Sequence, residues 1–251
     1  MSLPKSRRSR AAQSLRGALP DVSVVIAAGG KGRRMGVGTP KQFLSLGGVP
    51  VLERTIAAFH SLRAVREIVL VVPAGCIPRT RALVRRAGFR KVADVVEGGE
   101  ERQSSVFNGL KRCSFRSGVV LVHDAVRPLV GRRTIMSVIS AAGRYGAAVA
   151  GMPVRDTIKI ESQKRPGFYS RTLRREELWA VQTPQGFMFP LLWEAHRKVR
   201  SSGFIGTDDA SLVERMGIPV RIVPGTVTNI KITTPDDRKL AEFLLGKRQR
   251  G

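Results

Sequence analysis

The chain has 251 residues, 42% of them hydrophobic and 6% aromatic, with 44 basic against 19 acidic side chains and a net charge of +25. That is apolar material for one sizeable core, no apolar run approaches the roughly 20 residues of a membrane span, and Cys76 and Cys113 have no metal-ligand spacing, so both are expected as reduced thiols. The charge predicts attraction to anions, whether nucleotides, phosphorylated metabolites or nucleic acid, and does not choose among them.

Residues 1–20 form a basic extension carrying Lys5, Arg7, Arg8, Arg10 and Arg16 and no acid, and residues 247–251 a basic tail. Both read as solvated, disordered ends. A cytoplasmic location is expected, with a plastid as the alternative if the Arg- and Ser-rich extension is a targeting peptide. Between them, residues 21–246 read as one domain.

From Val22 the order is strand, loop, helix, repeated. "VSVVIAA" (Val22–Ala28) is a β-branched run of the kind buried on both faces of a sheet. A helix over Val51–Leu62 opens at Pro50. "EIVLVVP" (Glu67–Pro73) is a second buried strand, Pro78–Ala87 a helix ended by Gly88, and "KVADVVEGG" a short strand. A helix over Glu101–Arg112, a third strong strand "VVLVHDAVRP" (Val119–Pro128), a helix over Thr134–Tyr145 and a strand over Ala147–Val154 continue the alternation. The pattern breaks at Asp156, where "TIKI" and "FYSRTL" flank a polar turn with Pro166 and Gly167. This reads as a hairpin arm over about 154–178, and two isolated strands are marginal in water, so a second subunit is expected to pack on it. Helices at about Pro190–Ser201 and Thr207–Met216, two short strands in "VRIVPG" and "NIKI", and a last helix opened by "TPDD" complete the chain. The fold class is therefore α/β: a doubly wound, Rossmann-like, mainly parallel sheet with a protruding β-hairpin. Ligands in such sheets bind beyond the carboxyl ends of the strands.

At that end of the first strand lies "AAGGKGRRMGVGTPKQF". It lacks the third glycine of the dinucleotide fingerprint and the Gly-Lys-Ser/Thr of a Walker loop. Lys31, Arg33, Arg34 and Lys41 crowd a loop in which Gly29, Gly30 and Gly32 let backbone N–H groups face one concavity, a combination suited to a polyphosphate. The plain alternative is a tight glycine turn.

"AAGGKGRRMG…PKQF" resembles the signature of the sugar-nucleotide-type nucleotidyltransferases. "GGEERQSSVFNGL", "VHDAVRP", "PVRDTIK", "LWAVQTPQGF", "TDDASLVE" and "NIKITTPDD" follow in the order seen in the 2-C-methyl-D-erythritol 4-phosphate cytidylyltransferase family, so the resemblance runs from about Val22 to Leu245. The glycine loop looks one residue longer than the commonest form there, and "AGGKG" is similar to the sister family that makes CDP-ribitol from ribitol 5-phosphate. The resemblance implies joining of CTP to 2-C-methyl-D-erythritol 4-phosphate, with release of pyrophosphate, on the non-mevalonate isoprenoid route. Ribitol 5-phosphate is the alternative acceptor. A basic nucleic-acid-binding protein is the distant one, disfavoured by few aromatics and by charge placed in the ends.

A phosphate monoester is largely dianionic near neutrality, its second pKa being about 6, so the nucleophile needs no general base. No Ser-His-Asp set is suggested, and His123 reads as a residue that orients a strand end. The difficulty is bringing two polyanions together, which calls for cations and directed N–H groups. By resemblance, Arg34, Lys41 and Lys231 are the catalytic cations, Lys231 otherwise reading as a solvated strand lysine. Resemblance likewise places Ala27, Ala28, Gly29, Gly30, Gly32, Gly99, Glu100, Ser105, Asp124 and Ala125 at the nucleotide; the plain reading of Glu100 and Glu101 is that they open a helix. It assigns the alcohol phosphate to Arg127, Lys231 and, from the arm of a partner subunit, Thr157 and Arg175, with Thr183 and Asp208 as further candidates that shape the site rather than react. Asp124 is expected to hold Mg²⁺ or another divalent cation together with phosphate oxygens, the alternative being a salt bridge to Arg127. The expected partners are CTP, a sugar-alcohol phosphate and a second copy of the chain, with no membrane and no specific nucleic acid.

Overall fold

The computed structural model describes residues 20–29, 40–114 and 118–248. Its centre is a seven-stranded sheet. In chain order the strands of that sheet are β1 (Val22–Ala27), β4 (Val65–Val72), β5 (Val92–Glu97), β6 (Val119–Asp124), β7 (Ala147–Pro153), β10 (Trp179–Met188) and β11 (Arg221–Pro224). Their spatial order is β11-β7-β10-β6-β1-β4-β5. β5, β4, β1 and β6 are mutually parallel, as are β7 and β11, while β10 runs antiparallel to both of its neighbours. A two-stranded ladder of β2 (Ser45–Leu46) and β3 (Val49–Pro50) sits apart from it.

Side chains of the central strands alternate between two apolar layers. Val24, Ile26, Ile68, Leu70 and Leu121 face helices α1 (Val51–His60), α2 (Ile77–Arg86) and α4 (Arg132–Tyr145). Val25, Val69, Val71, Val120 and Val122 face α3 (Arg102–Leu110), α5 (Phe189–Ser202) and α6 (Asp209–Glu214). This is why β1 reads as a continuous hydrophobic run: both of its faces are covered. A third cluster, including Leu46, Val126, Ile232 and Ala241, seats α7 (Pro235–Arg248) and the segment before it. Among the described residues no helix is long and apolar enough to cross a membrane, and Cys76 and Cys113 are free thiols.

One expectation is corrected, and one strand has no expectation attached to it. "NIKI" is not a strand; Ile232 N–H donates to the Val126 carbonyl at 2.9 Å, but no ladder follows. "LWAVQTPQGF" is a strand, the ten-residue β10, and it places an antiparallel member in the middle of the sheet. The hairpin is present as β8 (Lys159–Glu161) and β9 (Tyr169–Thr172), a separate two-stranded sheet. Phe168 and Tyr169 on it are 66% and 72% exposed, far more than large side chains in this core.

Helix α3 lies very close to the sheet because of Gly109. A Cβ there would meet Val25 Cγ1 at 2.5 Å and Val71 Cγ2 at 2.9 Å. Both valines are buried on central strands and have no room to yield. Helix propensity alone favours Gly109→Ala by up to about 1 kcal/mol, but overpacking costs about 1–3 kcal/mol. The expected outcome is a net loss of about 1–2 kcal/mol, read as a Tm lowered by several degrees in a thermal melt. A Tm at or above that of the unsubstituted protein would contradict the close approach.

Candidate active site

β1 and β6 are neighbours whose last residues, Ala27 and Asp124, are register partners. The chain leaves both strands at the same edge of the sheet, and a cavity of about 240 Å³ opens there. Its floor is Ala27, Ala28 and Gly29; Gly99, Glu100 and Ser105 form one wall, and Lys41, Asp124 and Lys231 another. The wall after β5 is held by Ser105, whose Oγ accepts from Gly99 N–H at 3.0 Å and donates to the Glu101 carbonyl at 3.0 Å. A Cβ at Gly29 would lie 3.1 Å from that same Oγ, so the small residue lets the floor meet the wall. Gln42, buried, donates to the Ala28 carbonyl at 3.0 Å and ties the Lys41 segment to the end of β1.

Asp124 is the electrostatic centre. Its Oδ1 lies 3.3 Å from Arg102 Nε, and its Oδ2 lies 2.9 Å from Lys231 Nζ and 3.6 Å from Arg127 Nε. Burial by itself would raise the pKa of this carboxyl; Arg102, Lys231 and Arg127 outweigh that and hold it well below the usual carboxylate range. Burial likewise opposes the charge on Arg102, but Asp209 and Asp124 reverse the effect and fix the guanidinium as a cation. For Arg127 burial prevails and its pKa is lowered.

A second cavity, about 370 Å³, adjoins the first and shares Arg102, Asp124 and Lys231 with it. Arg127, Thr183, Gln185 and Asp208 line it further. Behind the seam runs a chain of hydrogen bonds. Asp124 N–H donates to Thr183 Oγ1 at 3.1 Å, Thr183 Oγ1 lies 3.0 Å from His123 Nδ1, and His123 Nε2 lies 3.1 Å from the Arg127 carbonyl. One assignment satisfies every partner: the threonine hydroxyl donates to Nδ1, and Nε2–H donates to the carbonyl. That requires a neutral imidazole, and burial pushes His123 down to about 4. His123 therefore orients the end of β6, as its position in the sequence suggests.

Lys231 is delivered by a short segment fixed at both ends. Asn229 Nδ2 donates to the Thr183 carbonyl at 2.8 Å, and Arg127 Nη1 donates to the Asn229 carbonyl at 2.7 Å. On the other side, Asp237 Oδ2 accepts from the N–H of Thr233 and of Thr234, both at 2.8 Å, while Asp237 N–H donates to Thr234 Oγ1 at 3.2 Å. This is a capping box at the start of α7. Burial alone would raise the Asp237 pKa, but the bonds from Thr233 and Thr234 lower it from 3.8 to about 2. A depressed carboxyl contributes stability above its unfolded pKa and loses it as pH falls through the folded one. Asp237→Ala should thus cost about 1 kcal/mol at neutral pH, with the gap from the unsubstituted protein closing between pH 3.8 and about 2 in melts at stepped pH. A gap independent of pH would contradict the assignment.

The structure brings Ala27, Ala28, Gly29, Lys41, Gly99, Glu100, Ser105, Asp124 and Lys231 to the first cavity, and Arg127 and Thr183 to the second. Arg34, Gly30 and Gly32 lie outside the described residues. Ala125 is buried and lines neither cavity; its N–H is taken by the Ala27 carbonyl and its own carbonyl by Thr55. Thr157 and Arg175 are exposed and line neither cavity of their own chain. The alternative reading of Asp124, a salt bridge to Arg127, is present, but among the described residues it stands beside contacts to Arg102 and Lys231. Arg102 was missed by sequence reasoning. A signal was there: it is the first residue of α3, whose first turn holds no acid, and a cation at a helix N-terminus opposes the helix dipole.

Residues 22–247 match the family model described as 2-C-methyl-D-erythritol 4-phosphate cytidylyltransferase, IspD. The chain is 48% identical over 229 residues to the protein of that name from Pelotomaculum thermopropionicum, covering 91% of this chain and 95% of the relative. It is 49% identical over 230 residues to the one from Symbiobacterium thermophilum, covering 91% and 94%. Among solved structures, the 4-diphosphocytidyl-2C-methyl-D-erythritol synthase of Anaerococcus prevotii superposes with a TM-score of 0.79 at 30% identity, over 90% of this chain and 96% of that one. The 2-C-methyl-D-erythritol 4-phosphate cytidylyltransferase of Thermus thermophilus superposes with a TM-score of 0.73 at 41% identity, over 89% and 98%.

Proposed function

The chain belongs to the 2-C-methyl-D-erythritol 4-phosphate cytidylyltransferase family, and from that premise we propose that the paired cavities bind CTP and the alcohol phosphate on either side of Asp124 and Lys231. The reaction joins CTP to 2-C-methyl-D-erythritol 4-phosphate, giving 4-diphosphocytidyl-2-C-methyl-D-erythritol and pyrophosphate. The observation that carries the assignment is the seam itself: Arg102, Asp124 and Lys231 line both cavities, so a group bound in one faces a group bound in the other across the same charges.

Cytosine and ribose occupy the first cavity, against Ala27, Ala28, Gly99 and Ser105, where small side chains let the ligand approach the backbone. The triphosphate extends toward Lys41. The acceptor phosphate lies in the second cavity near Arg127 and Lys231. One of its oxygens attacks the α-phosphorus, the bond to the bridging oxygen breaks, and pyrophosphate leaves. No proton has to be removed from the nucleophile, in keeping with a neutral, fully bonded His123. Lys231 and Lys41 offset the charge that accumulates on the α-phosphoryl oxygens.

Asp124 fits a divalent cation as a single carboxylate anchor. It lines the cavity, and its neighbours keep it ionised at every working pH. Such a cation takes one or two carboxylates and otherwise phosphate oxygens, and when bound it would supply positive charge to the phosphates. Among the described residues no group of three His, Cys, Asp or Glu side chains forms a cage of its own.

The arm is assigned to a homodimer, with Thr157 and Arg175 reaching the second cavity of the partner. Pyrophosphate release from CTP with each alcohol phosphate tests the whole reading: turnover with methylerythritol phosphate is expected, and turnover with ribitol 5-phosphate alone would overturn it. Lys41→Ala should lower kcat by about 10²-fold or more with an unchanged melting curve. A rate near that of the unsubstituted enzyme would remove Lys41 from the site.

A further inference from the structure

We propose that Arg102 is a positioning residue for this reaction, a fork that sets the Asp124 carboxylate against a buried anchor. The inference rests on the reading of the paired cavities as the CTP and alcohol-phosphate sites. Arg102 Nη1 donates to Asp209 Oδ2 at 2.6 Å, while Nε faces Asp124 Oδ1 at 3.3 Å. Asp209 is 1% exposed and cannot move: His196 Nε2 lies 3.3 Å from its Oδ1, and its N–H donates to Gln185 Oε1 at 3.1 Å. Gln185 in turn donates to Asp208 Oδ2 at 2.6 Å, so the anchor is built from β10 and the start of α6.

The consequence for Asp124 is geometric. With Oδ1 tied to Arg102, only Oδ2 faces Lys231 and Arg127. The carboxylate is thereby prevented from turning both oxygens onto those two cations, which the alcohol phosphate requires. A planar guanidinium can span two carboxylates in fixed directions, whereas an ammonium is a single point of charge. The cation at the helix N-terminus, unfavourable for α3 by itself, is explained by the same span.

A purely structural role, neutralising buried Asp209, is the competing account, and the double substitution separates the two. In Arg102→Gln with Asp209→Asn the buried charge is gone together with its partner. If Arg102 only satisfied Asp209, this variant would fold and turn over like the unsubstituted enzyme. If Arg102 positions Asp124, the variant melts normally but its kcat for pyrophosphate release falls about tenfold or more, the range found for outer partners of a ligating carboxylate. The KM for CTP changes much less, because the loss falls on the transition state. Arg102→Lys should keep the charge, fold, and lose kcat as well. A kcat within about threefold of the unsubstituted enzyme in the double variant, or in Arg102→Lys should the double variant fail to fold, overturns the proposal. Absence of turnover in the unsubstituted enzyme itself would instead overturn the functional reading beneath it.

Discussion

Lys231→Ala is expected to lower kcat by about 10²–10³-fold, the cost of removing one directed charge from a developing oxyanion. The lysine is placed for it. Its Nζ sits 2.9 Å from Asp124 Oδ2, and its side chain, 41% exposed, lines both cavities. In the proposed reaction two polyanions come into contact there, and among the described residues no other lysine is shared by the two linings. Folding should survive, because ion pairs with this much exposure contribute about 1 kcal/mol or less and the segment is held by Asn229 and the Asp237 capping box rather than by Lys231. Lys231→Arg restores charge but spreads it over a larger planar group, so partial recovery is expected. Steady-state pyrophosphate release beside a thermal melt checks both points. A wild-type rate in Lys231→Ala would place the transferred phosphoryl group elsewhere.

The parts of this site legible in the sequence are those that local chemistry dictates. β1, β4 and β6 show as β-branched runs because both faces are buried, and the polar residues that follow them mark the ligand-binding edge. Lys41 and Asp124 stand out for that reason. β10 was hidden because Pro184 and Gly186 argue against a strand; the reason for Gly186 is tertiary, since a Cβ there would lie 2.7 Å from Val138 Cγ1 of α4. "NIKI" misled in the opposite direction. Its alternation is that of a strand, but one hydrogen bond to Val126 and burial of Ile232 in the α7 cluster account for it without a ladder. Arg102 was overlooked since its partners, Asp124 and Asp209, are 22 and 107 residues away. Spacing along the chain carries no trace of such a fork; only the misplaced charge at the start of a helix does.

Asp124→Asn is expected to damage stability and turnover together, unlike Lys231→Ala. The carboxylate is 9% exposed and lies against Arg102, Arg127 and Lys231. Replacing it by an amide keeps the shape but leaves the charge on Arg127 without its counter-ion, its remaining bond being to the Asn229 carbonyl. Breaking one side of a buried ion pair costs about 3–5 kcal/mol. Arg102 retains Asp209, so a loss near the lower end, about 3 kcal/mol, is expected by denaturant titration. The pH dependence gives an independent check. Burial would raise the Asp124 pKa, but the three cations hold it below the usual carboxylate range, so its contribution is complete above the ordinary unfolded value and fades as pH falls through the depressed folded one. The unsubstituted protein should accordingly lose its advantage over Asp124→Asn only in acid below that ordinary value, and between neutrality and mild acidity the gap should be flat. Turnover should fall by about 10²-fold or more if, as proposed, the same carboxylate orients Lys231 and anchors the divalent cation. A stable, active Asp124→Asn enzyme would contradict both assignments, and a gap that closes already near neutral pH would contradict the three-cation account of the carboxyl.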